Sequence, residues 1–167
     1  MGIQSTIHLS YLSLPLSSGQ GEAPCCMTST YKPRVVLADD HDGMMHKVVE
    51  LLANKYDIVA SVNNGTKAIQ AAAIHKPDVV ILDISMPERN GMQAAQELKR
   101  LGSKAKIVFL TVQDDLEQIR AARALGASYV LKSRMRSDLC IAVEEARAGR
   151  VFVSIHTPVK LIPDPAF

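Results

Sequence analysis

The chain has 167 residues, 19 Lys and Arg against 17 Asp and Glu, and a formal charge of +2. This length accommodates one domain of ordinary size plus an extension, because a single core commonly serves about 100–200 residues. Apolar residues make up 47% and charged residues 22%, a globular composition that excludes a fully disordered chain. No run approaches the roughly 18 consecutive apolar residues of a membrane span. So even a charge balance does not suit a protein that coats nucleic acid.

Residues 1–31 hold one ionised side chain, Glu22, and are rich in Ser, Gly and Pro. The stretch Ile7 to Leu16 resembles a weak secretory core, but it lacks a basic flank and is broken by serines and Pro15. We read 1–31 as a disordered extension, with Met27 as an alternative initiator. Cys25, Cys26 and Cys140 make no disulfide framework. Cys140 falls in an apolar helical pattern and reads as a small core residue in a reducing compartment, which implies the cytoplasm.

From Arg34 onward, short apolar runs alternate with amphipathic helical patterns. The runs 34–38, 58–62, 78–82, 106–110 and 129–131 read as buried strands. Between and after them, helices are expected over 41–55, 66–75, 92–101, 116–125 and 137–148. Asn63-Asn64-Gly65 marks a turn, and Gly102, Gly126 and Gly149 follow helix ends. Ser137 is the expected N-cap of the last helix. Five near-continuous apolar strands, each followed by a helix, predict an α/β fold: a three-layer αβα sandwich around a five-stranded parallel sheet.

In such sheets ligands bind beyond the carboxyl ends of the strands. The sequence delivers Asp39 and Asp40 after the first strand, Asp83 after the third, Thr111 after the fourth and Lys132 after the fifth. An Asp-Asp pair alone is as readily a helix N-cap before His41. Five groups converging from four strands are a site. Two carboxylates about 4 Å apart repel by roughly 4 kcal/mol at an effective dielectric near 20. A small divalent cation relieves that repulsion, and an all-oxygen, partly hydrated site suits Mg2+. No His/Cys spacing for zinc and no Gly-rich phosphate loop is present, and His41 reads as exposed rather than ligating.

These residues carry a resemblance. Leu37-Ala38-Asp39-Asp40-His41, Leu82-Asp83-Ile84-Ser85-Met86-Pro87 with Gly91, Leu110-Thr111 and Tyr129-Val130-Leu131-Lys132-Ser133 resemble the receiver domain of two-component response regulators. The likeness runs over residues 33–150 and implies a CheY-like, flavodoxin-like (βα)5 receiver. The Ala-Asp-Asp-His and Lys-Ser forms, and Ala148 to Ser154, are similar to the NarL/FixJ-type subgroup.

The resemblance implies roles. Asp83 would be the phosphoacceptor, taking a phosphoryl group from a sensor histidine kinase or phosphotransfer protein. Asp40 would bind Mg2+ directly and Asp39 through water, with the Ser85 carbonyl as a further ligand. Lys132 would bond the acyl phosphate, Thr111 would move its hydroxyl onto it, and Tyr129 would turn inward. A face made by the fourth helix, fifth strand and fifth helix would then meet a downstream protein target. Two departures stand out: Val112, where the family usually has a small residue, is expected to tighten access, and Asp42 adds acidity.

Seventeen residues follow Arg150, among them Pro158, Pro163 and Pro165, and they leave no room for a helix-turn-helix. Residues 151–167 therefore read as a linker-like tail without an output domain. A stand-alone receiver with no direct DNA binding and no membrane contact is the reading adopted, with homodimerisation left open. The alternatives are the receiver half of a truncated NarL-type transcription regulator, and a Mg2+-dependent aspartyl-nucleophile phosphohydrolase. The last needs a second acid where Ser85 stands. A phosphorylation-independent docking module would be expected to lose part of the acidic pocket.

Overall fold

The computed structural model describes residues 31–154. Five strands, β1 (Arg34–Ala38), β2 (Asp57–Val62), β3 (Val79–Leu82), β4 (Lys106–Thr111) and β5 (Ser128–Leu131), form one parallel sheet in the order β2-β1-β3-β4-β5. The helices are α1 (Asp42–Leu52), α2 (Gly65–His75), α3 (Gly91–Arg100), α4 (Leu116–Ala124) and α5 (Met135–Arg147). This is the expected three-layer α/β sandwich.

The sheet is buried on both faces, which is why its strands read as unbroken apolar runs. Val36, Val80, Leu82, Phe109 and Tyr129 pack with Ala68, Ala72, Ala94, Ala95 and Ile119 of α2, α3 and α4. Val35, Leu37, Ile81, Val108 and Val130 pack with Val48 and Leu52 of α1 and Leu139, Ala142 and Val143 of α5. The alanines of α2 and α3 let those helices lie close to the sheet. Gly65 tightens this further: a Cβ there would stand 2.4 Å from the Arg89 carbonyl oxygen.

Helix starts follow ordinary capping chemistry. His41, Asn64, Asn90 and Asp115 accept a backbone N–H from the first turns of α1 to α4, and Asn90 with Gln93 completes a capping box. The fifth helix corrects the sequence reading. It begins at Met135 after a 3-10 turn over Lys132–Arg134, so Ser137 lies inside it. The Ser137 hydroxyl instead donates to the Arg134 carbonyl and to Asp138.

Most of the segment read as an extension, with Cys25 and Cys26, lies outside the described residues, as do 155–167 of the expected tail. Cys140 is half-buried at the edge of the α1–α5 cluster. Val151–Ser154 is not free chain. It runs beside β5, with Val153 in a parallel bridge to Tyr129.

Candidate functional site

Asp39 and Asp83 sit one residue beyond β1 and β3, which are hydrogen-bonded neighbours, so the strand ends bring them together. Their backbones are fixed: Asp39 N–H donates to the Val62 carbonyl (3.1 Å) and Asp83 N–H to the Ala38 carbonyl (2.8 Å). Both acids are buried, while Asp40 is exposed beside them. One carboxylate oxygen from each of the three lies within 4.8 Å of the others.

Lys132 enters this cluster from the turn after β5. Its ammonium donates to Asp83 Oδ2 at 2.9 Å and stands 2.7 Å from Asp39 Oδ2. Buried Asp39 Oδ2 has this ion pair as its partner and no further hydrogen bond. Burial by itself would depress the lysine, yet the two carboxylates outweigh it and hold its pKa above the ordinary value. The remaining oxygens are spoken for locally: Asp39 Oδ1 accepts the His41 N–H (2.9 Å) and Asp83 Oδ1 the Ser85 N–H (3.3 Å). His41 is exposed, and its Nδ1 accepts the Met44 N–H.

The donor set fits a small hard cation: three carboxylates, two of them buried and paired with one ammonium, converge as all-oxygen donors. Gly91 shows how tightly the site is framed. A Cβ at this first residue of α3 would stand 2.1 Å from the Asp83 carbonyl oxygen, so only glycine lets α3 start here. Sequence reasoning quoted Gly91 as part of a motif without seeing this contact.

Thr111, at the end of β4, is fully buried, and its hydroxyl accepts the Gln113 N–H at 3.2 Å. Tyr129 is also fully buried, with its ring already inside, and its hydroxyl donates to the Gln113 carbonyl at 2.7 Å. Burial, and secondarily the charge of Asp115, push the Tyr129 hydroxyl up to about 12. Gln113 thus joins Thr111 to Tyr129, a link that sequence reasoning missed because both bonds use backbone groups. Ser85 and Asp42 are exposed at the rim. Val112 is 72% exposed, so the expected tightening is not made by a packed side chain. Glu88 was also missed. It sits in the β3–α3 loop at φ 63° and accepts a bond from Asn64 at the start of α2.

Comparison with known proteins agrees with this geometry. The profile of the response regulator receiver domain matches residues 35–144. The transcriptional regulatory protein PdtaR of Mycobacterium tuberculosis is 38% identical over 117 residues, covering 68% of this chain and 56% of that protein. The nitrate/nitrite response regulator protein NarL of Escherichia coli is 31% identical over 137 residues, covering 80% of this chain and 63% of that protein. The chain thus spans a little over half the length of these relatives. Among solved structures, a LuxR-family two-component response regulator from Aurantimonas superposes with a TM-score of 0.69 at 27% identity, over 74% of this chain and 90% of that one. Among the described residues no helix is long and apolar enough to cross a membrane. The chain belongs to the response regulator receiver family of two-component signalling.

Proposed function

We propose that residues 32–150 act as a phosphoacceptor receiver in a phosphorelay, with Asp83 taking the phosphoryl group from phosphohistidine of a sensor kinase or phosphotransfer protein. The observation that carries this is the placement of Asp83 Oδ2 on the Lys132 ammonium, beside Asp39 and Asp40. A carboxylate oxygen of Asp83 attacks phosphorus in line, the phosphorus–nitrogen bond breaks, and the leaving imidazole is protonated from solvent. Lys132 shifts from the carboxylate to a phosphate oxygen, a charge-assisted bond to a compact cation. Asp39, Asp40 and Asp83, with the Ser85 carbonyl, are the oxygens that would hold Mg2+, which supplies charge neutralisation for the transferring group.

Thr111 would then leave the Gln113 N–H for the phosphate. Because Gln113 also holds Tyr129, that change loosens the loop against the tyrosine and biases the face of α4, β5 and α5 towards a downstream protein. The domain is a signalling element rather than a phosphohydrolase, for which Ser85 stands in place of a second acid. A sensor histidine kinase or phosphotransfer protein and a downstream protein target are its proposed partners, and the cytoplasm its proposed location. The second reading, the receiver half of a DNA-binding regulator, is favoured by the NarL match, which covers more of this chain than of NarL.

Intact mass after incubation with acetyl phosphate and Mg2+ tests the proposal. One acid-stable, base-labile phosphate is expected on the wild-type chain and none on Asp83→Asn, with the fold retained. Phosphorylation that persists in the variant would overturn the assignment, and its absence from the wild type would favour a docking module.

A further inference from the structure

β5 is an edge strand of the sheet, yet its outer edge is covered by the chain itself. Tyr129 N–H donates to the Phe152 carbonyl and Ser154 N–H to the Tyr129 carbonyl, both at 2.8 Å. Phe152 N–H donates to the Ser128 hydroxyl at 3.0 Å. The two intervening side chains alternate as in a strand: Val153 packs with the cluster that contains Tyr129, and Phe152 with the cluster on the other face. The segment ends on a buried clasp. Ser154 is 2% exposed, and its hydroxyl donates to Asp138 Oδ2 of α5 at 2.5 Å. Asp138, buried too, also takes the Arg134 guanidinium and the Ser137 hydroxyl.

Tyr129 is therefore held from two sides. Its backbone gives both its N–H and its carbonyl to Val151–Ser154, while its hydroxyl is on Gln113 in the β4–α4 loop. Rotation of the ring about its own side-chain bonds leaves these backbone bonds in place. The segment bears on the ring through Val153, which packs with the cluster that contains Tyr129 and is held there by the same ladder and by the Ser154 clasp.

We propose that Val151–Ser154 is a latch, clasped by Ser154 on Asp138, that holds Val153 against the cluster of Tyr129 and so keeps the ring inward. This rests on Tyr129 being the switch of the receiver. The coupling is reciprocal: what loosens the latch frees the ring, and what moves the ring loosens the latch.

The test uses the full chain in three forms. Ser154→Ala removes the hydroxyl bond to Asp138 and keeps the bond to the Tyr129 carbonyl. Ser154→Pro removes that backbone donor as well. Amide exchange is followed at Tyr129 and, as a control, at Leu37 in β1. The ring is followed in fluorotyrosine-labelled protein, its signal identified with Tyr129→Phe. In Ser154→Ala, exchange at Tyr129 should rise about tenfold, the scale of losing one bond to a buried carboxylate. In Ser154→Pro it should rise further, with the ring signal moving towards that of free tyrosine. Leu37 should not change, and acetyl phosphate should label both variants as it labels the wild type. Unchanged exchange and ring signal in both variants would overturn the latch, as would an equal rise at Leu37. Failure of the receiver reading would appear elsewhere, as a wild-type chain without a phosphate mass shift, and leaves the exchange result intact.

Discussion

At the carboxyl edge of the sheet two of three clustered carboxylates share one ammonium, whereas towards the opposite edge Asp78 is answered by neutral donors and lines a cavity with Lys76, Lys104, Lys106 and Arg147. Asp78 Oδ2 takes the Tyr31 hydroxyl (2.6 Å) and the Arg34 N–H (2.7 Å). Burial would raise its pKa, but these bonds outweigh burial and hold it below the ordinary value. A cavity of about 640 Å³ opens at this satisfied end, with walls that include Ile69, Leu98, Leu101, Lys76 and Lys106. The carbonyl ends of α2 and α3, capped by Lys76 and Leu101, close there too, so the lysines meet helix ends that favour cations. The site is marked by charge that its own neighbours leave uncompensated.

The strongest way to break the comparison is to remove the cation that pairs with Asp39 and Asp83. Lys132→Met would leave Asp39 and Asp83 buried and facing each other, and breaking a buried pair in this way costs about 3–5 kcal/mol. Urea unfolding should show that loss, and millimolar Mg2+ should recover part of it by replacing the ammonium. A loss below about 1 kcal/mol would mean that the pair behaves as a surface one. The wild-type pH profile sharpens the same point. The folded-state pKa of Lys132 is raised, so its stabilisation is full below its ordinary value of 10.5 and is lost as pH rises through the raised value. Lys132→Met should lack that alkaline fall.

Two glycines sharpen the comparison by steric means. At Gly91 an added Cβ would strike the Asp83 backbone, which cannot yield without moving the acid. Gly91→Ala should cost about 2–3 kcal/mol as an overpacked site and abolish labelling by acetyl phosphate. Gly102, near the opposite edge, has φ 72° and nothing within 4 Å of an added Cβ. Gly102→Ala should therefore cost only the left-handed penalty, about 1 kcal/mol, and leave labelling unchanged. Equal costs at the two positions would mean that α3 does not depend on its contact with Asp83.

Much of this was legible in the sequence, for a physical reason. Strands buried on both faces leave continuous apolar runs, and groups at their carboxyl ends must converge once the strands are parallel. Hence Asp39, Asp83 and Thr111 were readable from position alone. What escaped depends on contacts between distant segments that leave no periodic trace. Lys132 was expected to face a phosphate, and nothing in its neighbours in sequence indicated a grip on Asp39 and Asp83 together. Ser137 looked like an N-cap because Lys132–Arg134 gave no sign of a turn that starts the helix two residues early. Ser154 looked like part of a tail; its partner Asp138 lies 16 residues away.

The smallest expected effect lies at the opposite edge. Leu101 is 56% exposed at the cavity wall, and Lys104 stands beside it without a salt bridge among the described residues. A residue this exposed buries little apolar surface, so Leu101→Ser should stay within about 0.5 kcal/mol of the wild type. Lys104→Ser should do the same, because an exposed lysine with no salt bridge among the described residues gives up little when removed. Neither side chain is among the groups at the acid cluster, so labelling of Asp83 by acetyl phosphate should keep its wild-type rate in both. A labelling rate changed severalfold by either substitution would show that the two edges communicate, and that the cavity belongs to the receiver's function after all.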